Sequence, residues 1–213
     1  MKIVIKIGTS TLTHSTGRTN IRRVADLCRV ISDLKNAGHE IILVSSGAIA
    51  MGVGKLNLST RPSDAPTKQA AAAVGQCELM YIYDRLFAEH NHTVAQLLIT
   101  APDIDDPVRK ENFHNTLERL LAFRVLPIIN ENDTVATAEL KHIENFGDND
   151  TLSAVVARMC DADLLVIFSD IDGLYDSNPR TNPQAKLINH VGKIDAKIRR
   201  MAGGAGSAHG TGG

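Results

Sequence analysis

The sequence predicts an α/β fold, a three-layer α/β/α sandwich with a largely parallel central sheet. Apolar runs of strand length alternate with segments of helical period along the chain. Several strands are apolar throughout, as expected where helices cover both faces of a sheet. Strands with a helix between them are joined by parallel crossovers.

Lys2 to Ile7 alternates lysine with β-branched residues and runs into Gly8-Thr9-Ser10, a strand followed by a tight turn. Ile21 to Ala37 carries Val24, Leu27, Ile31 and Leu34 at helical spacing, with Gly38 suited to end the helix. Glu40 to Val44 is the second strand and stops at Ser45-Ser46-Gly47-Ala48. The Ser/Thr/Pro-containing stretch between Ala48 and Thr67 reads as a long loop. Gln69 to Glu89 is Ala-rich and helical, and Thr93 to Thr100 is a strand. Pro107 to Phe123 is helical, and Val125 to Ile129 is a strand ending at Asn130-Glu131-Asn132-Asp133. Asp150 to Met159 is helical, and Leu164 to Phe168 is a strand ending at Ser169-Asp170. From Gly203 the chain reads GGAGSAHGTGG, which in isolation has the composition of a linker.

Composition narrows the function classes. The 213 residues are 43% hydrophobic and 22% charged, ordinary for a globular protein, with net charge -1. That balance gives no electrostatic reason for nucleic acid or a membrane as partner. Trp is absent and aromatics are 4%, which weakens any reading built on base stacking. Cys28, Cys77 and Cys160 are far apart and form no CxxC pair, so three reduced, mostly buried thiols in a cytoplasmic protein are expected.

In a parallel α/β sheet, ligands bind beyond the carboxyl ends of the strands. Gly8, Thr9 and Ser10, then Ser46 and Gly47, then Asn130 to Asp133, then Ser169 and Asp170 all follow strands. Each group alone is as readily a turn or a helix cap; together they mark one edge. Gly8 lets the backbone approach a phosphate. Lys6, on a strand expected to be buried, needs an anionic partner: a nucleotide phosphate or a structural carboxylate. No GxxxxGK[ST], GxGxxG, GxSxG or HExxH appears, which counts against P-loop, dinucleotide, hydrolase and zinc-enzyme readings.

VIKIGTSTL, LVSSGAIAMG, KQAAAAVGQ, INENDTVA, FGDNDTLSA and SDIDGLYDSNPR, in this order, resemble the amino acid kinase family and, within it, the glutamate 5-kinases. The match runs over nearly all of residues 1–213 and implies one kinase domain. It implies transfer of the γ-phosphoryl of ATP, with Mg²⁺, to the side-chain carboxylate of L-glutamate, the first step of proline biosynthesis. Carried over by position, Lys6 contacts the ATP phosphates and Asp150 organises the catalytic lysines. Ser46, Asp133 and Asn149 hold glutamate. Gly8, Ser169, Asp170 and the Thr211-Gly212-Gly213 segment serve ATP. The resemblance also implies proline as feedback inhibitor, at a site overlapping glutamate and involving the 48–67 stretch, and a homo-oligomer. In the family a second phosphate lysine follows GTGG; here that position lies past Gly213, and nothing corresponds to the family's PUA module. Acetylglutamate kinase, uridylate kinase, aspartokinase and a non-catalytic glutamate or proline sensor remain alternatives.

Overall fold

The structure, a computed structural model, describes residues 1–14, 18–136 and 149–201. In chain order the elements are β1 (Lys2–Ile7), α1 (Thr9–Leu12), α2 (Ile21–Asn36), β2 (Glu40–Ser45), α3 (Ala48–Lys55), α4 (Ala65–Ala88) and β3 (Val94–Ile99). There follow α5 (Ala101–Asp105), α6 (Pro107–Ala122), β4 (Leu126–Glu131), α7 (Asn149–Met159), β5 (Leu164–Phe168) and α8 (Ala196–Met201). The five strands form one sheet in the order β3-β4-β2-β1-β5, and every pairing is parallel.

Side chains alternate across each strand, so one sheet feeds two cores. Ile3, Ile5, Ile7, Ile41, Leu43, Leu126 and Ile128 pack with residues of α1 to α4. Val4, Ile42, Val44 and Ile129 pack with α5, α6 and α7 through residues such as Phe113, Leu117, Leu152 and Val156. The crossovers from β1 to β2 and β2 to β3 thus lie on one face, and those from β3 to β4 and β4 to β5 on the other. The strand order reverses direction between the two sets. Right-handed crossovers switch face whenever the winding direction reverses.

Three sequence expectations need correction. The 48–67 stretch is not one loop: α3 occupies Ala48–Lys55 and α4 begins at Ala65, capped by the Asp64 side chain, which accepts from Thr67 N–H at 2.9 Å. Ser59, Thr60, Pro62 and Ser63 lie in the connection between the two helices, while Asp64, Pro66 and Thr67 belong to the cap and first turn of α4. Cys77 is exposed, whereas Cys28 and Cys160 are buried. Leu164, Ile167 and Phe168 on β5 are exposed, because this edge strand pairs only with β1 among the described residues.

Helices α3 and α4 meet backbone to backbone. A Cβ on Gly52 would stand 1.8 Å from the Ala71 carbonyl oxygen, and one on Gly75 would stand 1.7 Å from that of Ala48. No other residue type fits at either position. This contact fixes α4 against the turn that leads out of β2. No helix among the described residues is long and apolar enough to cross a membrane.

Candidate active site

Strands β2 and β4 are neighbours, but the chain leaves them toward opposite faces of the sheet. Their carboxyl ends therefore diverge and open a crevice. Ser46, Gly47, Asn130 and the start of α7 surround it.

Two glycine turns line one side. Gly8 and Gly47 are the N-caps of α1 and α3, and neither helix receives a side-chain cap. The N-termini of α2, α4 and α6 are capped by Asn20, Asp64 and Asp106. Uncapped first-turn N–H groups are suited to an anion from outside the helix. Gly47 sits at φ 104°, a left-handed conformation that glycine adopts without strain. The two turns are held together: Ser46 N–H donates to the Ile7 carbonyl at 3.0 Å, and Thr9 lies 3.9 Å from where a Gly47 Cβ would stand.

Lys6 shares the strand face of Val4, so its side chain turns toward α7. There Nζ meets Asp150 Oδ1 at 2.6 Å, with the lysine side chain only 10% exposed and the carboxylate 32% exposed. The structural carboxylate is thus the partner present for the buried cation. A Cβ on Gly8 would stand 3.4 Å from Lys6 Nζ and 3.4 Å from the Phe168 carbonyl oxygen, so the lysine tip, the first glycine turn and the end of β5 adjoin.

Asn149, the residue before Asp150, faces the other way. Its Nδ2 donates to Ser46 Oγ at 2.8 Å, to the Ser45 carbonyl at 3.0 Å and to Asn130 Oδ1 at 3.0 Å. Asn130 is 3% exposed; its Oδ1 also accepts from Glu131 N–H, and its Nδ2 donates to Gln76 Oε1 at 2.9 Å. Beneath this cluster, the buried Ser45 and Tyr83 hydroxyls pair at 2.9 Å, and burial pushes the Tyr83 phenol upward.

Glu131 ends β4, and Asp133 lies in the turn beyond it, both part-buried. Burial raises the Asp133 carboxyl above the usual range; burial, then the Asp133 charge, raises that of Glu131. Two carboxyls with poor solvation favour an incoming ammonium group.

The structure brings Lys6, Gly8 and Asp150 together, and Ser46 with Asn149. Asp133 stands at the same sheet edge. Ser169 and Asp170 follow β5 and are exposed; Asp170 is tied to Arg180 at 2.9 Å. Thr211, Gly212 and Gly213 lie outside the described residues, as do Gly147 and Asp148 of the FGDND motif. Sequence reasoning singled out neither Gln76 nor Arg180. A signal for Gln76 was present: it falls at the spacing of Ala72, Leu79 and Tyr83, the buried face of α4, where an unpaired amide is unfavourable. For Arg180 there was none, since its partner lies across a loop.

A family model described as the amino acid kinase family matches residues 1–213. A glutamate 5-kinase of Listeria welshimeri is 52% identical over 212 residues, covering 100% of this chain and 77% of that relative. One from Clostridium perfringens is 52% identical over the same span and is itself covered to 79%. One from Enterococcus faecalis is 50% identical and covered to 78%. Among solved structures, isopentenyl phosphate kinase of T. acidophilum superposes with a TM-score of 0.61 at 17% identity, covering 88% of this chain and 78% of that one. UMP kinase from Ureaplasma parvum gives 0.60 at 16%, covering 94% and 84%. At such identities these two structures bear on the fold alone.

Proposed function

The chain belongs to the amino acid kinase family, to its glutamate 5-kinases, and from that membership we propose how its site works. It moves the γ-phosphoryl group of ATP to the side-chain carboxylate of L-glutamate and forms L-glutamyl 5-phosphate. One observation carries this reading. The first two residues of α7 serve opposite sides of the crevice: Asp150 holds Lys6 beside the glycine turns, and Asn149 holds Ser46. A single helix start sets the distance between a phosphate-binding cation and a polar substrate pocket.

The acceptor carboxylate has an ordinary pKa of about 4.3, so the nucleophile is ionised at neutral pH and needs no general base. The obstacle is the approach of an anion to a polyphosphate. Lys6 and the uncapped N–H groups after Gly8 and Gly47 offset that repulsion and favour the charge that develops in transfer. Asp150 orients the lysine. Asn149, Ser46 and Asp133 hold the amino acid, with Asp133 taking its ammonium. Ser169 and Asp170 border the nucleotide. Magnesium bound with ATP would offset the charge that develops on the phosphates during transfer; among the described residues no group of three His, Cys, Asp or Glu side chains is placed to hold a metal ion.

Feedback inhibition by proline, overlapping glutamate, homo-oligomeric assembly and a cytoplasmic location belong to the same proposal. They rest on the family resemblance, and the three free cysteines suit a reducing compartment. Trapping the acyl phosphate with hydroxylamine tests the reaction. Glutamate should give hydroxamate in an ATP-dependent manner, while N-acetylglutamate, aspartate and UMP should not replace it. Turnover with one of those and none with glutamate would refute the assignment. Proline should raise the glutamate KM without lowering kcat.

A further inference from the structure

The peptide groups around the second glycine turn differ in how firmly they are held. Ser46 N–H donates to the Ile7 carbonyl at 3.0 Å, and Asn149 donates to the Ser45 carbonyl at 3.0 Å, so the Ser45–Ser46 peptide is tied on both sides. The Gly47 carbonyl accepts from Met51 N–H at 2.9 Å, which ties the Gly47–Ala48 peptide. The Ser46–Gly47 peptide between them has no backbone bond among the described residues. There its N–H donates to nothing, and its carbonyl accepts only from the Ser45 hydroxyl, at 3.3 Å.

This peptide has two settings. Gly47 sits at φ 104°, ψ 0°, close to the third residue of a type II turn. Rotating only the peptide before that residue gives a type I turn, with the residue at about −90° and 0°. Glycine adopts either sign of φ without strain. The N–H and C=O of a trans peptide point opposite ways, so the rotation exchanges their directions and leaves the flanking chain in place. In the setting observed, the carbonyl faces the buried Ser45 side chain, and the N–H points away from it at a part-exposed residue of the crevice. In the other, a carbonyl oxygen would take the place of that donor.

The hydroxyl protons have one consistent arrangement. The Ser46 carbonyl can only accept, so Ser45 donates to it and receives the Tyr83 proton at 2.9 Å. The reverse would leave the proton of the fully buried Tyr83 with no acceptor among the described residues. At 3.3 Å the Ser45 bond is long for a hydroxyl, so its hold depends on where the proton points, and Tyr83 decides that.

We propose that Ser45, aimed by Tyr83, is a positioning residue for phosphoryl transfer: its hydroxyl holds the Ser46 carbonyl inward and so keeps Gly47 N–H turned toward the phosphate. The inference rests on the kinase reading of this crevice and names what sets the polarity of its second glycine turn.

The test uses three variants. Ser45→Ala removes the hydroxyl, Ser45→Thr keeps it, and Tyr83→Phe keeps the ring without the donor. Hydroxamate trapping gives kcat and both KM values, with a melt of each chain to correct kcat for the folded fraction. The Gly47 amide is followed by NMR in chains carrying isotope-labelled glycine, with and without the magnesium complex of AMP-PNP. Ser45→Ala should lower kcat by about tenfold or more, toward the roughly 10²–10³ that one positioned donor supplies. It should leave both KM values within about threefold, since the donor serves charge that develops in transfer. AMP-PNP should move the Gly47 amide proton downfield in the parent and in Ser45→Thr, and far less in Ser45→Ala. Tyr83→Phe should fall between the parent and Ser45→Ala in both readouts. A Ser45→Ala chain with parental kcat or the full Gly47 shift overturns the inference, even where it melts lower. So does a Ser45→Thr chain no better than Ser45→Ala, or a Tyr83→Phe chain identical to the parent. A parent whose Gly47 amide responds to AMP-PNP but which turns over no glutamate refutes the glutamate assignment alone, and the amide shifts of the variants then decide the inference by themselves.

Discussion

The two halves of the Lys6–Asp150 pair are unequal in burial, so removing either one should have unequal effects. At 2.6 Å the two charges attract by about 6 kcal/mol at an effective dielectric near 20, most of it offset by the desolvation of both groups. Asp150→Asn leaves an ammonium whose side chain is 10% exposed. Stranding a buried charge in this way costs about 3 kcal/mol. For a chain of this length that lowers the melting temperature by roughly 6–12 °C. Lys6→Met leaves instead a carboxylate that is 32% exposed and sits in the first turn of α7. Water and the helix N-terminus both stabilise it, so the loss should be about 1 kcal/mol, or roughly 2–4 °C. Both variants should lose on the order of a hundredfold in turnover. Calorimetric melts with and without ATP separate the effects. ATP should raise the melting temperature of Asp150→Asn more than that of the parent, because a phosphate replaces the missing carboxylate as partner. A Lys6→Met chain that melts at or below Asp150→Asn would refute the reasoning from burial. So would an Asp150→Asn chain that gains nothing extra from ATP.

Three further outcomes are expected. Asp133→Ala and Asn149→Ala should raise the glutamate KM by about tenfold or more and leave the ATP KM nearly unchanged; equal effects on both would place them outside the glutamate subsite. Burial raises the Asp133 carboxyl, so the folded chain binds that proton more readily than the unfolded chain. The contribution to stability is therefore present below the ordinary aspartate pKa and declines as pH rises through the raised one. Glutamate binding runs the other way, since its ammonium needs the ionised form: affinity should fall on acidification from about pH 7 toward 4, more steeply in the parent than in Asp133→Asn. Parallel profiles would count against that ion pair. Gly75→Ala should destabilise the fold by about 3 kcal/mol or more, because its Cβ would stand 1.7 Å from the Ala48 carbonyl oxygen, and a melt within a degree or two of the parent would contradict that backbone contact.

The α/β class, the five strands and the edge of the sheet that carries polar residues were legible from the sequence. All three depend on local signals: strand-length apolar runs, helical period and the small or polar residues at strand ends. The short helices α1, α3 and α5 were not legible, since four to eight residues give too little periodicity, and Gly47-Ala48 reads as a turn until α4 packs on it. Strand order was not legible either: hydropathy marks β5 as a strand without saying that it lies beside β1 at the far end from β3.

For the site, sequence alone determined which residue types stand at the strand ends, and the family resemblance assigned them to phosphate or to glutamate. Only tertiary structure decided their partners. Lys6 and Asp150 are 144 positions apart, and nothing local to either names the other; alternation on β1 and the placement of α7 bring them to 2.6 Å. The amides of Gln76, Asn130 and Asn149 are likewise far apart in sequence, and each reads alone as an ordinary polar residue. Their orientation is set by a backbone N–H on β4 and a backbone carbonyl on β2. Which end of an amide faces outward depends on neighbours in space, and those neighbours exist only once the strands are paired.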